Sequence, residues 1–498
     1  MIQQNDTATL LNQVDSGTLI AQASSVGSWQ LLSYNCPINP IHAALLHTGK
    51  VLFVAGSGNN SNNRSEPQGS AVWNVSAGTF SRPTTPVDAA GLPFDLFCAG
   101  HSFRPDGFLM VAGGTLQYDP FYGSTAALLF NPSTEQWIKV ASMNKGRWYP
   151  TVVTLGSGRI LALSGLNENG QLDTYPEIYS SSFATGWISF SQPTSRLPMY
   201  SHIFLLSSGK VFYSGGYFDN TGVTPRILTL PSKFTQAIAE QEVPGLQDAG
   251  YGEQAASVLL PPAQDQKVMI IGGGNGFNGT ATNRVNIVNL NASSPSYTQA
   301  APLNYARMHH NAVLLPDRTV FVCNGSAKGE DVGQSTLPAE IYNPATNTWT
   351  VVKTPNVSGR VYHSVALLLP DGRVATAGGN PDRGIEERRM ETYSPSYMSQ
   401  PRPVIQSAAQ TVKYGQKLAL QTPQAGNIKW VSLIKPMATT HCCDTEQRLV
   451  DLPINSRTNT SLTAVVTSNR NLAPAGWYML FITDNNNVPS VAKWVQLT

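Results

Sequence analysis

The sequence predicts an all-β chain: a wheel of seven small sheets followed by a β-sandwich. Three observations predict it. An apolar hairpin closed by glycine recurs at a near-constant period. The composition favours turns over helices. Near residue 400 the recurrence stops and a different strand pattern begins.

The recurrence is clearest at Ser364-Val365-Ala366-Leu367-Leu368-Leu369-Pro370-Asp371-Gly372-Arg373-Val374-Ala375-Thr376-Ala377-Gly378-Gly379. An apolar run, a Pro-Asp-Gly turn, a second apolar run and a glycine stop spell one hairpin. Equivalent second strands end at Gly56, Gly113, Gly165, Gly216, Gly273 and Gly325, so the closing glycines lie 51 to 57 residues apart. Seven units of about 50 residues match the period of kelch-type propeller blades. Outer strands follow each hairpin, as in Ala126-Ala127-Leu128-Leu129-Phe130-Asn131-Pro132 ahead of Trp137, and Ala339-Glu340-Ile341-Tyr342-Asn343-Pro344 ahead of Trp349. Radial repetition leaves few open sheet edges. Trp29-Gln30-Leu31-Leu32 reads as the strand that closes the ring against the last blade.

These marks set the expected organisation. Residues 1–27 form an irregular leader that packs in part. Residues 28–400 form a seven-bladed kelch-type β-propeller. Residues 401–498, with short alternating strands such as Ile428-Lys429-Trp430-Val431-Ser432-Leu433, form an immunoglobulin-like β-sandwich.

Composition narrows the function. The 498 residues carry 12% charged side chains and a formal net charge of +2, without the basic excess of a nucleic-acid binder. No apolar run is long enough to span a membrane. Forty-two glycines and 34 prolines fit turn-rich β-structure. An Asn-, Ser- and Thr-rich, Lys-poor make-up points to a secreted or otherwise extracytoplasmic protein, although the first 25 residues show no signal peptide; a monomer is expected. The five cysteines are Cys36, Cys98, Cys323, Cys442 and Cys443. Their odd number and the adjacent pair give no disulfide framework, and no Cys-x-x-Cys occurs.

Chemistry is expected where the turns ahead of the innermost strands crowd the propeller axis. His42, His101, Tyr149-Pro150, His202, His310 and His363 stand there. A histidine in five of seven blades is first a feature of the repeat. Three departures stand out: Tyr362 precedes His363, Arg147-Trp148-Tyr149-Pro150 puts a tyrosine at the third turn, and Cys98 precedes the second hairpin. Outside the repeat, Thr439-Thr440-His441-Cys442-Cys443-Asp444 reads as a polar loop of the sandwich. Nitrogen and oxygen donors in this mixture suit Cu(II) better than Mg, Ca or structural zinc. A one-electron metal needs a second redox group for a two-electron oxidation, and a tyrosine can supply it. The residue types alone leave open both this centre and an inert propeller that binds glycan or protein.

Phe97-Cys98-Ala99-Gly100, Arg147-Trp148-Tyr149-Pro150, Arg360-Val361-Tyr362-His363-Ser364 and Thr440-His441 follow one another in the order of a known motif set. In these stretches, and in Pro489-Ser490-Val491-Ala492-Lys493-Trp494-Val495, the chain resembles the copper radical oxidases, the family of galactose oxidase and glyoxal oxidase. Arg-Trp-Tyr-Pro leans to the glyoxal oxidase side. The resemblance implies Cu(2+) held by Tyr149, Tyr362, His363 and His441, with Tyr149 joined to Cys98 by a thioether and carrying a radical. It implies oxidation of small aldehydes, as hydrates, or of primary alcohols by O2 with release of H2O2, Tyr362 acting as general base. Galactose oxidase stacks a tryptophan over its crosslinked tyrosine from the loop after the third hairpin. Here that loop, Ser164-Gly165-Leu166-Asn167-Glu168, has none. His309 stands where galactose oxidase has a pocket phenylalanine. With Trp148 it is expected to line a polar substrate pocket suited to small hydrated aldehydes or polyols.

Overall fold

The structure, a computed structural model, describes residues 26–498 except 66, 220–222, 358, 381 and 383. The expected leader therefore lies outside the described residues but for Val26 and Gly27. The described residues contain strands and short 3-10 turns and no α-helix.

The strongest hairpin forms as its sequence requires. Ser364–Leu368 pairs antiparallel with Val374–Gly378, from Ser364 opposite Gly378 to Leu368 opposite Val374. Gly372 takes φ +94°, which its missing Cβ permits, and its N–H closes the turn on the Leu369 carbonyl at 2.9 Å. Every residue of both strands is buried. Such strands are covered on both faces, so they read as unbroken apolar runs rather than alternating ones.

Seven sheets are built this way between Ser28 and Ser394 among the described residues, each with four strands from this part of the chain. In six, the four strands follow in sequence order from the innermost outward. The seventh takes Ser28–Asn35 as its outermost strand, paired with Arg389–Ser394, which is the closure read from Trp29-Gln30-Leu31-Leu32. The arrangement is that of a kelch-like propeller. Residues 404–498 supply a sandwich: Lys417–Gln421 and Ser461–Val465 lie in one sheet, and Ile428–Ile434 and Gly476–Asp484 in the other. Leu418, Leu420, Val431, Leu480 and Ile482 fill the space between them and join the core that includes Phe212 and Ile270 of the propeller.

One clip recurs in the third, sixth and seventh sheets. Arg147 pairs with Glu177 at 3.1 Å, Arg307 with Glu340 at 2.9 Å and Arg360 with Glu391 at 3.3 Å, all fully or almost fully buried. Each carboxylate also accepts the backbone N–H of an asparagine just upstream, Asn144, Asn304 or Asn356. A buried charge must be paired and hydrogen-bonded. The clip does this, and so fixes the lead-in to the innermost strand.

The segment expected to be a polar loop of the sandwich is a buried hairpin that joins the first sheet of the propeller. Ala438–Thr440 pairs with His42–Leu45, the innermost strand of the first sheet, placing His42 opposite Thr440. Its polar side chains then serve the inner edges of other sheets. Gln447 donates to the Ala312 carbonyl and accepts from the Leu314 N–H. Thr445 donates to the Val152 carbonyl, and Arg448 to the carbonyls of Leu205 and Leu472. Glu446 bonds Ser102 and pairs with Lys435 at 2.5 Å. Inner strand edges carry backbone groups that need partners, and a polar insert supplies them. Polarity here marks a plug.

Candidate metal centre

Four of the five residues expected at the centre sit in backbone conformations that L side chains seldom adopt. Cys98, Tyr149, His363 and His441 have φ of 60°, 61°, 65° and 46°. Each such residue costs of order 1 kcal/mol and persists only where its surroundings enforce it. The enforcement is visible: the Tyr149 N–H donates to the Cys98 carbonyl, and the Tyr200 N–H to the Tyr149 carbonyl, both at 2.9 Å. These bonds link three successive lead-in turns. The Arg147 and Arg360 clips hold the chain immediately before Tyr149 and Tyr362.

The side chains converge. Ligand atoms of Cys98, His363 and His441 lie within 4.8 Å of one another. The phenol oxygens of Tyr149 and Tyr362 are hydrogen-bonded to each other, and the Cys98 thiol interacts with the Tyr149 phenol. The His363 and His441 rings are 4.6 Å apart at 87°. Tyr362 stacks on His363 at 3.6 Å, and Tyr149 lies 4.9 Å from His441. Five residues from four distant parts of the chain thus share one buried space.

The imidazoles are oriented. His363 Nδ1 is 2.6 Å from Asn380 Oδ1, an acceptor that also receives Asn39 Nδ2. That places a proton on His363 Nδ1 and a lone pair on Nε2. Thr440 Oγ1 donates to the Ile41 carbonyl and lies 2.7 Å from His441 Nδ1, which directs His441 in the same way. Nε2 of both rings is buried with no hydrogen-bond partner in the protein. Two orphaned lone pairs beside two phenols are the signature of ligands waiting for a cation, and outer partners on Nδ1 are how proteins aim metal-binding histidines. The electrostatics agree. Burial lowers His363 to about 3 and His441 well below its usual range, so both stay neutral and able to ligate. Burial pushes the Cys98 thiol and the Tyr149 and Tyr362 phenols well above theirs. These donors fit copper.

Aromatic rings surround the phenols. The loop after the third hairpin indeed lacks a tryptophan, but Trp148 stacks on Tyr149 itself at 3.9 Å and 16°. Phe121 stacks on the outer side of Trp148 at 4.1 Å. The ring that covers Tyr149 comes from the preceding residue rather than from another loop. His309 is buried, 5.7 Å from the Tyr362 ring, and neither of its nitrogens has a protein partner.

Several contributors escaped the sequence reading. Asn380 directly follows Gly378-Gly379 and could have been noticed as a polar stop to an apolar hairpin. Tyr200 occupies the lead-in turn of the fourth sheet with φ +42°, its ring 4.6 Å from Tyr149 and 4.8 Å from His441. Phe218 and Phe277 carried no local signal. All five cysteines are buried and free. No helix of the described residues is long and apolar enough to cross a membrane.

Comparison with known proteins identifies the family. Residues 58–397 match the family model described as glyoxal oxidase N-terminus, and residues 402–497 that of the galactose oxidase-like early set domain. The chain is 27% identical to a galactose oxidase of Gibberella zeae, over 98% of this chain and 73% of that protein. It is 25% identical to the aldehyde oxidase GLOX of Vitis pseudoreticulata, over 96% and 98% respectively. Among solved structures, a fungal alcohol oxidase of the AA5 family, in complex with copper, superposes with a TM-score of 0.80 at 24% identity, covering 95% of this chain and 100% of that one. At that identity the likeness speaks for the fold. With the first family model spanning most of its length, the chain belongs to the copper radical oxidase family of glyoxal oxidase and galactose oxidase.

Proposed function

We propose that the protein is a secreted copper radical oxidase that oxidises primary alcohols or hydrated small aldehydes with O2 and releases H2O2. In this reading the seven sheets of residues 28–400 are the blades of a closed wheel, and the sandwich of 401–498 lends it one histidine through the axial hairpin. The observation that carries the proposal is the convergence of Cys98, Tyr149, Tyr362, His363 and His441, with both histidine Nε2 atoms bare.

Tyr149, Tyr362, His363 and His441 would hold the metal. Copper, when bound, supplies one of the two oxidising equivalents and the positive charge that favours the ionised form of these buried phenols. Tyr149, thioether-linked to Cys98, holds the other equivalent and takes the hydrogen atom from the substrate carbon. Tyr362 Oη receives the hydroxyl proton. Trp148 covers one face of Tyr149 and keeps water from it. The balance is RCH2OH + O2 giving RCHO + H2O2, two electrons and two protons passing from carbon and hydroxyl to dioxygen. Galactose oxidase and aldehyde oxidase GLOX among the relatives, and copper in the fungal alcohol oxidase, support the class.

The test is a peroxide-release screen over alcohols and aldehydes with copper-loaded protein, beside Cys98→Ser. The expected result is peroxide from the unaltered chain only, together with a linked Cys98–Tyr149 peptide in its digest. Stoichiometric copper with no linked peptide and no peroxide overturns the reading.

A further inference from the structure

We propose that the approach to this centre along Phe218 and Phe277 is shaped for a primary alcohol bearing an aromatic ring on its reacting carbon. The inference rests on the oxidase reading and narrows its substrate. Phe218 touches three members of the cluster: its ring is edge-on to Tyr149 at 4.5 Å, parallel to Tyr362 at 5.9 Å and edge-on to His441 at 6.2 Å. Phe277 then meets both Phe218, at 5.9 Å and 87°, and Tyr362, at 6.1 Å and 79°. Phe218 is 9% exposed and Phe277 42%. An aromatic wall therefore runs from the centre to solvent.

Phe277 is held there by construction. It lies at the tip of a short loop in which Asn275 Oδ1 accepts the Thr280 N–H at 2.8 Å and the Gly279 N–H bonds the Gly276 carbonyl at 2.9 Å. The loop base is tied to the next sheet by the Ala281 N–H on the Ala327 carbonyl and the Gly329 N–H on the Gly279 carbonyl. A braced loop that keeps a phenylalanine two-fifths in water beside a reactive centre presents that ring to something. Edge-to-face and offset ring pairs at 4.5–7 Å are favourable, and the wall offers that geometry to a third ring. His309, also edge-on to Tyr362, carries two unpartnered nitrogens. The polar lining expected from His309 thus has aromatic neighbours, Phe218 and Phe277. A polyol or hydrated dialdehyde would lose its water against the rings and gain no partner there. An arylmethanol sets its CH2OH at the polar lining and its ring along Phe218 and Phe277. The overall change is ArCH2OH + O2 to ArCHO + H2O2. The aryl aldehyde is conjugated and barely hydrated, so oxidation stops there.

The test uses the full copper-loaded chain and compares peroxide release from benzyl alcohol, ethanol and hydrated methylglyoxal. Benzyl alcohol is expected to exceed ethanol by about 100-fold or more in kcat/KM, and Phe277→Ala to cut that ratio about tenfold, through KM. A ratio near unity, or one unchanged by Phe277→Ala, overturns the inference. Quenching of tryptophan fluorescence by benzyl alcohol gives a readout free of turnover, and its apparent Kd is expected to rise about tenfold in Phe277→Ala. If no substrate yields peroxide, the oxidase reading fails and the titration decides alone. A weaker Kd in the variant sustains the aromatic wall, and equal Kd values refute it.

Discussion

The sixth and seventh lead-ins are built on the same frame and do different things. Both begin with a buried arginine clipped to a third-strand glutamate, Arg307 to Glu340 and Arg360 to Glu391. Both then turn a histidine at positive φ, His309 and His363, ahead of the innermost strand. The difference lies one bond further out. His363 Nδ1 is taken by Asn380, leaving a directed Nε2, whereas both nitrogens of His309 are bare. In the proposed centre the repeat supplies position, and a single outer hydrogen bond would separate a ligand, His363, from a lining residue, His309.

The hardest way to break this comparison is at the ligand. His363→Ala is expected to cut peroxide release by at least ~10³-fold and to weaken copper binding without abolishing it, because one of four donors is gone. His309→Ala should leave copper affinity within about twofold, measured by competition with a chelator. Next comes the frame. Arg307→Met and Arg360→Met each strand a buried glutamate and should cost about 3–5 kcal/mol in denaturant unfolding. If the frame is shared, the two losses agree within about 1 kcal/mol, and only Arg360→Met also disturbs copper. Asn380→Ala sharpens the comparison itself. It leaves His363 in place but frees its Nδ1, and copper affinity should fall by about 10- to 100-fold.

The smallest effect concerns a carboxylate without a clip. Glu253 is buried away from any cation of the described residues, and burial, only partly offset by contacts with the Asp219 backbone and Gln254, raises it from 4.5 to about 8. The unfolded chain releases this proton near pH 4.5 while the folded one keeps it to about 8. Its contribution to stability is therefore full at low pH and declines as pH rises through that window. Glu253→Gln should flatten the decline, seen as a melting temperature that gains on the unaltered protein at pH 8 but not at pH 4.

The reach of sequence reasoning follows the range of the interactions. The hairpins were legible because turn, strand and glycine stop are local. Tyr362-His363 and Arg147-Trp148-Tyr149 were legible because they interrupt a repeat that otherwise carries structural residues. The roles of Thr445, Gln447 and Arg448 were not, because the inner edges they bond, at Val152, Ala312 and Leu205, lie 135 to 293 residues upstream. The Trp148 stack was missed for the opposite reason, since the ring sought in another loop stands next to Tyr149 in the chain. Phe218 and Phe277 meet Tyr362 from two further loops, and no spacing announces that.

Electron paramagnetic resonance of the copper-loaded protein puts the convergence to a single test. Cu(II) hyperfine structure from two histidine nitrogens is expected, with one lost in His363→Ala, one in His441→Ala and none in His309→Ala. A spectrum unchanged by His441→Ala would mean that the axial hairpin does not reach the metal, and the shared centre would fall with it.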